Sequence, residues 1–193
     1  MTNCINAVWA NANIVDGLGN QPFVGDVVVQ ERYIKSVIRQ GVEASGGSPE
    51  RTPSVSGSPL RAAQTRYPGC KVVDLTGRWL MPGLIDSHVH LNGWALSGSI
   101  NTRLFHLATP MPERYLHMVK NCETLLDTGF TTVRVLGTPQ SLDCILRDGI
   151  AQGLVRGPRL VCAGEDISMT SGHGDLMLPP RFSRGPEATF DGP

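Results

Sequence analysis

The spacing of apolar and polar residues differs between the two halves of the chain. Residues 5–38 are rich in β-branched and aromatic residues, and glycine and aspartate interrupt them at short intervals. This pattern is typical of short strands joined by tight turns. Apolar runs on both sides of Glu31-Arg32 predict a hairpin whose turn lacks the usual glycine. With a further strand expected at 70–75, the pattern indicates a small β-structure in the first half.

In the second half, strand patterns alternate with helix patterns. Short apolar runs predict strands at 84–90, 130–136 and 159–163, and apolar residues at helical spacing predict helices at 112–127 and 141–152. Strands that alternate with helices pair in parallel through right-handed crossovers. The second half therefore has the pattern of an α/β sheet, or of the opening of an α/β barrel.

A polar segment at 44–59 interrupts the first half. Five serines, three glycines and three prolines make up eleven of its sixteen residues. That composition favours a flexible insertion over a strand or a helix. We expect two regions: residues 1–82, with the small β-structure and this insertion, and residues 83–193, with the α/β pattern.

Composition and charge argue against several classes of protein. Seventeen basic residues balance seventeen acidic ones without a long run of either sign, so neither nucleic acid nor an anionic membrane is an expected partner. No apolar stretch approaches the roughly 18 residues of a membrane-spanning helix. The first basic residue is Arg32, so the charged start of a signal peptide is missing, and we expect a cytoplasmic protein.

The cysteines are scattered and form no Cys-x-x-Cys pair. An odd number of dispersed cysteines argues against a disulfide framework or a zinc knuckle. Each is expected to be a small buried apolar residue. The five positions are Cys4, Cys70, Cys122, Cys144 and Cys162.

The predicted strand at 84–90 carries two histidines and an aspartate. Alternate side chains of a strand share a face, so His88 and His90 point the same way with Asp86 beside them. Neutral imidazoles bind zinc and similar divalent ions, and the Asp86 carboxylate could orient one of them. The pair ends the first strand of the α/β pattern, where such folds place active sites. Two histidines that pack without metal remain the alternative.

Several motifs together resemble one enzyme family. Residues 80–90, Leu-Met-Pro-Gly-Leu-Ile-Asp-Ser-His-Val-His, resemble the signature of the amidohydrolase superfamily of metal-dependent hydrolases. Segments 131–134, 146–150, 157–159 and 171–175 are similar to the branch with imidazolonepropionase-like enzymes and prolidase-like dipeptidases. The family has a TIM barrel and a small β-sandwich assembled from both chain ends. The resemblance implies an α/β fold, with part of that sandwich followed by a partial TIM (β/α)8 barrel of three strands.

The resemblance also implies an activity. Family members use a metal-activated water to hydrolyse carbon-nitrogen bonds, so the implied substrate is a small-molecule amide or dipeptide. His88 and His90 match the pair that binds the more buried of two metal ions, and zinc is the expected cofactor. The other family ligands are a carboxylated lysine, two histidines and an aspartate from later strands. We identify no catalytic residue within these 193 residues.

His173 is the candidate for contact with the substrate. It lies between two glycines in a loop after the third strand, at the same end as His90 if the barrel forms. Flexible glycines would let its ring reach a substrate. A structural loop histidine is an equally open interpretation.

Length limits what these residues can do. A complete (β/α)8 barrel takes about 250 residues, and two imidazoles do not fill the coordination shell of one zinc ion. We therefore expect an incomplete fragment without hydrolase activity of its own. The alternative is a noncatalytic remnant that binds a partner, or another copy as a homo-oligomer, through a sheet edge. A cupin-like antiparallel barrel could also hold two histidines, but the predicted helices argue against it.

Overall fold

The computed structural model describes residues 7–41, 58–93, 108–169 and 172. The chain divides into two units, Met1–Pro82 and Gly83–Pro193. Both contain a sheet and at least one helix, so the fold is α/β. Within the described ranges, no helix is both long and apolar enough to cross a bilayer.

A five-stranded sheet forms the first unit. Its strands are β1 (Ala7–Ile14), β2 (Phe23–Gln30), β3 (Tyr33–Arg39), β4 (Val72–Asp74) and β5 (Trp79–Leu80). The order is β3-β2-β1-β4, and β5 also pairs with β1. β1, β2 and β3 are antiparallel neighbours, whereas β4 and β5 run parallel to β1. Alternate residues of β1 are buried, as expected for a strand with one face on a core.

The hairpin predicted around Glu31-Arg32 is confirmed. Gln30 pairs with Tyr33, so two residues connect β2 and β3. Glu31 has a φ of 55° and takes the left-handed conformation that glycine usually supplies in such turns. For a residue with a side chain this conformation costs about 1 to 2 kcal/mol.

A helix begins where the sequence predicts an irregular insertion. Residues 42–57 lie outside the described residues, but the predicted insertion at 44–59 is wrong at its last position, because Pro59 begins a helix. Ser58 caps helix α1 (Pro59–Arg66), and its hydroxyl accepts a hydrogen bond from the Arg61 backbone N–H at 3.4 Å. Serine followed by proline suits a helix start as well as a loop, which explains the error.

One buried carboxylate connects the elements of the first unit. Asp26 of β2 is 1% exposed. Its Oδ1 accepts hydrogen bonds from the Asn11 backbone N–H and from Nε2 of Gln40, both at 2.9 Å. Its Oδ2 accepts one from the Tyr67 hydroxyl at 2.9 Å and lies 3.2 Å from the Arg66 guanidinium. The end of α1 is therefore tied to β1 and β2.

A three-stranded parallel sheet forms the second unit. Its strands are β6 (Leu84–Val89), β7 (Phe130–Val135) and β8 (Arg159–Cys162), in that order. Helix α2 (Met111–Asp127) connects the first two strands, and helix α3 (Leu142–Ala151) connects the last two. The predicted parallel pairing is confirmed, and the antiparallel cupin-like alternative is wrong for this unit. Gly129 follows α2 with a φ of 96°, a left-handed conformation that glycine commonly supplies after a helix.

The core of the second unit lies between the helices and the sheet. Its buried residues come from α2, β7, α3, β8 and the turn after β6: Met118, Cys122, Val133, Val135, Leu142, Leu146, Leu160 and Leu91. Gly83, just before β6, faces Thr131 so closely that a Cβ would overlap the threonine side chain. Glycine there permits the close approach of β6 to β7.

The prediction that every cysteine is buried is only partly correct. Cys122 is buried, but Cys70, Cys144 and Cys162 are half-buried free thiols. Cys162 packs against the core of the second unit but is only half-buried. Cys4 lies outside the described residues.

Candidate metal centre

The histidine pair lies at the carboxyl end of β6. His88 is the fifth residue of this strand, and His90 follows its last residue, Val89. Both side chains are exposed. Their ring centroids are 5.3 Å apart, and the ring planes meet at 69°. The two imidazoles therefore lie side by side at the edge where parallel α/β sheets place their active sites.

Their spacing fits a shared divalent cation. Zinc lies about 2.1 Å from an imidazole nitrogen, each ring centre lies about 1.1 Å beyond that nitrogen, and tetrahedral ligands subtend about 109°. Two imidazoles on one ion would thus have ring centres about 5 Å apart. The observed 5.3 Å matches this separation.

Asp86 shapes the strand that carries the pair. Asp86 pairs with Val133 and Val89 pairs with Val135. Between these two pairs β6 has one more residue than β7, which is a β-bulge. The Asp86 Oδ1 accepts a hydrogen bond from the His88 backbone N–H at 3.0 Å. Bulges of this kind re-aim side chains beside active sites. Asp86 thus fixes the main chain at His88, and its expected contact with an imidazole stays a prediction.

Asn121 of α2 holds the chain that follows His90. Its Nδ2 donates to the carbonyl oxygens of Leu91 and Gly93, both at 2.9 Å. Leu91 is 2% exposed, so the turn is anchored by packing as well. Sequence reasoning missed Asn121, although an amide at the helical spacing of the apolar stripe was a usable signal.

A second polar cluster occupies the same edge, at the ends of β7 and β8. Asp143, in the first turn of α3, is fully buried. Its Oδ1 accepts hydrogen bonds from the Thr138 hydroxyl and the Cys144 backbone N–H, both at 2.9 Å. Its Oδ2 accepts one from the Gly164 backbone N–H at 3.1 Å. The Asp143 carboxylate therefore ties the loop after β7 to the loop after β8.

Two thiols adjoin that carboxylate. The Sγ atoms of Cys144 and Cys162 and a carboxylate oxygen of Asp143 lie within 4.8 Å of one another. Burial, followed by the charge of Asp143 and the Cys144 thiol, raises the pKa of the Cys162 thiol to about 12. Both cysteines were expected to be apolar residues, and this cluster is not evident in the sequence because only the fold brings Cys162 next to Asp143 and Cys144.

His117 is the other histidine that the structure describes. His173 is outside the described residues, so its contact with a substrate stays a prediction. His117 is on α2, where its Nε2 lies 3.9 Å from Oε1 of Glu113, one helical turn away.

Comparison with known proteins identifies the family. The profile of the amidohydrolase family matches residues 79–189, more than half of the chain. The chain belongs to this family, as the sequence motifs indicate.

The individual relatives are hydrolases of several kinds. Ochratoxinase from Aspergillus niger is 32% identical over 101 residues, which cover 52% of this chain and 20% of that protein. Imidazolonepropionase from Mesorhizobium japonicum is 32% identical over 84 residues, which cover 44% of this chain and 17% of that protein. The chain thus spans about a fifth of the length of the curated relatives it matches.

Solved structures agree on the fold. A Xaa-Pro dipeptidase with bound methionine in its active site superposes with a TM-score of 0.72 at 20% identity, over 96% of this chain and 41% of that chain. The ochratoxinase of A. niger gives a TM-score of 0.63 at 23% identity, over 90% of this chain and 34% of that chain. At these identities the likeness concerns the fold alone.

Proposed function

We propose that the protein is a metal-dependent hydrolase of carbon-nitrogen bonds and that His88 and His90 hold its divalent cation. The observation that carries this proposal is the histidine pair, with ring centroids 5.3 Å apart at the carboxyl end of β6. It lies within the region that matches the amidohydrolase family. Zinc suits two imidazoles, and the proposed substrate is a small amide or dipeptide.

We also propose that the two sheets are parts of a larger barrel and a larger sandwich. The three parallel strands of the second unit are the first three strands of a (β/α)8 barrel, and the sheet of the first unit is part of a small β-sandwich. The strand order β6-β7-β8 supports this assignment, since consecutive parallel strands are neighbours in a barrel.

In this proposal, residues of the chain bind the divalent cation and position the groups around it. A divalent cation supplies Lewis-acid chemistry, which makes water a better nucleophile near neutral pH and polarises the carbonyl that is attacked. His88 and His90 each offer a ring nitrogen, and their exposure leaves the site open to a substrate. Asn121 holds the turn after His90, and His173 contacts the substrate.

Zinc binding tests the histidine site directly. Calorimetric titration is made on the C144S/C162S variant, so that thiols do not compete for zinc. We expect one zinc-binding step in this variant. Adding either His88→Ala or His90→Ala to it should abolish that step. His117→Ala is the matched control and retains it. Binding that persists in both variants would show that the pair does not hold the ion.

Activity tests the reaction class. In the native protein, isolated at its natural length and assayed with a panel of dipeptides and N-acyl amino acids, His88→Ala should lower kcat/KM on the order of 10³-fold, a loss of about 4 kcal/mol. His117→Ala should leave it unchanged. Two imidazoles leave much of a coordination shell unfilled, so the 193 residues alone should show no turnover. Turnover by them would contradict this part of the proposal.

A further inference from the structure

The cluster of Asp143, Cys144 and Cys162 has a use that the histidine site does not provide. It brings two thiol sulfurs and a carboxylate oxygen within 4.8 Å of one another. Sulfur and carboxylate donors together are a zinc-binding set, and three protein ligands with one open position is a recurrent zinc arrangement. None of these residues belongs to the histidine pair.

The carboxylate is already oriented. Asp143 is fully buried, so water does not compete for its oxygens. Its Oδ1 accepts two hydrogen bonds, whereas its Oδ2 accepts one, from the Gly164 backbone N–H. A carboxylate oxygen that accepts a single hydrogen bond retains a lone pair for a further partner. The surrounding donors act as the outer hydrogen bonds that orient metal ligands in proteins.

The thiols are both fixed and accessible. Cys144 lies in the first turn of α3, and Cys162 is the last residue of β8. Regular elements at both positions limit the movement of the two sulfurs. Both residues are half-buried, so an ion can reach them from solvent.

We propose that Asp143, Cys144 and Cys162 form a second metal site, which takes a thiophilic divalent cation such as zinc. Each thiol releases its proton to solvent as its sulfur binds, whereas the carboxylate binds without proton loss. The fourth position is open to water. Oxidation of Cys144 and Cys162 to a disulfide would compete with metal binding, and it requires an oxidant that takes up two electrons.

Cobalt binding distinguishes the sulfur site from the histidine site. Co²⁺ on thiolates gives sulfur-to-metal charge-transfer absorption in the near ultraviolet, which imidazole ligands do not give. In the reduced His88→Ala/His90→Ala variant we expect this absorption on addition of Co²⁺. Adding Cys144→Ser and Cys162→Ser should abolish it. Adding Cys70→Ser, at another half-buried thiol, should leave it intact. Thr138→Val should weaken Co²⁺ affinity by about 10- to 100-fold, as loss of an outer partner does.

Thiol protection tests the same site without substitution. In the unsubstituted reduced protein, Zn²⁺ should slow alkylation of Cys144 and Cys162 by iodoacetamide at least tenfold and leave Cys70 unaffected. Equal alkylation rates with and without Zn²⁺ would overturn the proposal. The proposal would also be overturned by two observations together: a Cys144–Cys162 disulfide in protein isolated without reductant, and no Co²⁺ binding through sulfur after that disulfide is reduced. These outcomes leave the histidine site untouched, because sulfur absorption and sulfur alkylation report only on the thiols.

Discussion

The Tyr67 hydroxyl donates its hydrogen bond to a carboxylate that is almost fully buried. Burial of the ring, followed by the hydrogen bond to Asp26 and the charge of that carboxylate, raises the pKa of Tyr67 to about 12. A tyrosine in an unfolded chain loses its proton near about 10. Between these two values the folded chain binds more protons than the unfolded chain, so the free energy of unfolding falls as pH rises. Below about pH 10 the contribution of the protonated Tyr67 hydroxyl to the free energy of unfolding is fully present.

Replacing Tyr67 by phenylalanine should therefore remove part of the alkaline loss of stability. We expect the free energy of unfolding of the unsubstituted chain to fall more steeply between about pH 10 and 12 than that of Tyr67→Phe. Urea unfolding followed by tryptophan fluorescence measures the difference. Tyr33→Phe, at a 59% exposed tyrosine of β3, should retain the full slope. Identical slopes for Tyr67→Phe and the unsubstituted chain would refute the link.

At the scale of elements, α2 positions the end of β6 through one amide. The two carbonyl oxygens that Asn121 satisfies belong to Leu91 and Gly93, directly after His90. Asn121→Leu preserves the size of the side chain and removes both hydrogen bonds. Because outer partners of a metal site are worth about 10- to 100-fold in affinity, we expect a zinc affinity loss of that size in the C144S/C162S background.

The control for this prediction lies on the same helix. The Thr124 hydroxyl bonds only the Lys120 carbonyl within α2, so Thr124→Val should leave zinc affinity unchanged. In NMR spectra, Asn121→Leu should shift the imidazole resonances of His90 and leave those of His117 in place. If zinc affinity and the His90 resonances both stay unchanged in Asn121→Leu, Asn121 has no positioning role.

Most elements of the fold could be predicted because each rests on local spacing. The apolar residues of α2 recur at helical intervals, and β7 and β8 are short apolar runs between glycine-rich turns. Helix α1 could not be predicted in this way, because its cap, Ser58, stands in a stretch whose composition indicates a loop. Only Ala63 of this helix is buried, so the sequence carries almost no amphipathic signal there.

The candidate sites show the same boundary between local and distant information. The proximity of His88 and His90 could be predicted because the two residues are separated by only Val89 in the sequence. The Asp86 bulge could not, since it depends on pairing with β7. The Asp143 cluster joins Thr138, Cys162 and Gly164 across two loops, and no spacing rule connects those positions.

At the scale of the whole molecule, an apolar side chain remains exposed on β6, which has β7 as its one neighbouring strand among the described residues. β6 is an outer strand of its sheet, and Ile85 on it is 73% exposed. Outer strands with exposed apolar residues associate with other chains unless a charge interrupts them. We expect the 193-residue chain to self-associate with rising concentration, and Ile85→Lys to reduce its mean mass in sedimentation. Leu116→Lys, at a 68% exposed residue of α2, should have little effect. Equal sedimentation of the Ile85 and Leu116 variants would contradict a role for the β6 edge.

The hydrogen bonds of Asp143 also restrict how the loops after β7 and β8 can vary in length during evolution. The loop at 136–141 and the turn at 163–164 share one carboxylate through the Thr138 hydroxyl and the Gly164 backbone N–H, and the Thr138 N–H donates to the Gly164 carbonyl at 2.8 Å. An insertion in one segment would pull its partner away from Asp143 unless the other segment changed as well. Among homologues that keep threonine and aspartate at these positions, both segments should therefore have constant lengths. Length variation should begin only where the aspartate has been replaced.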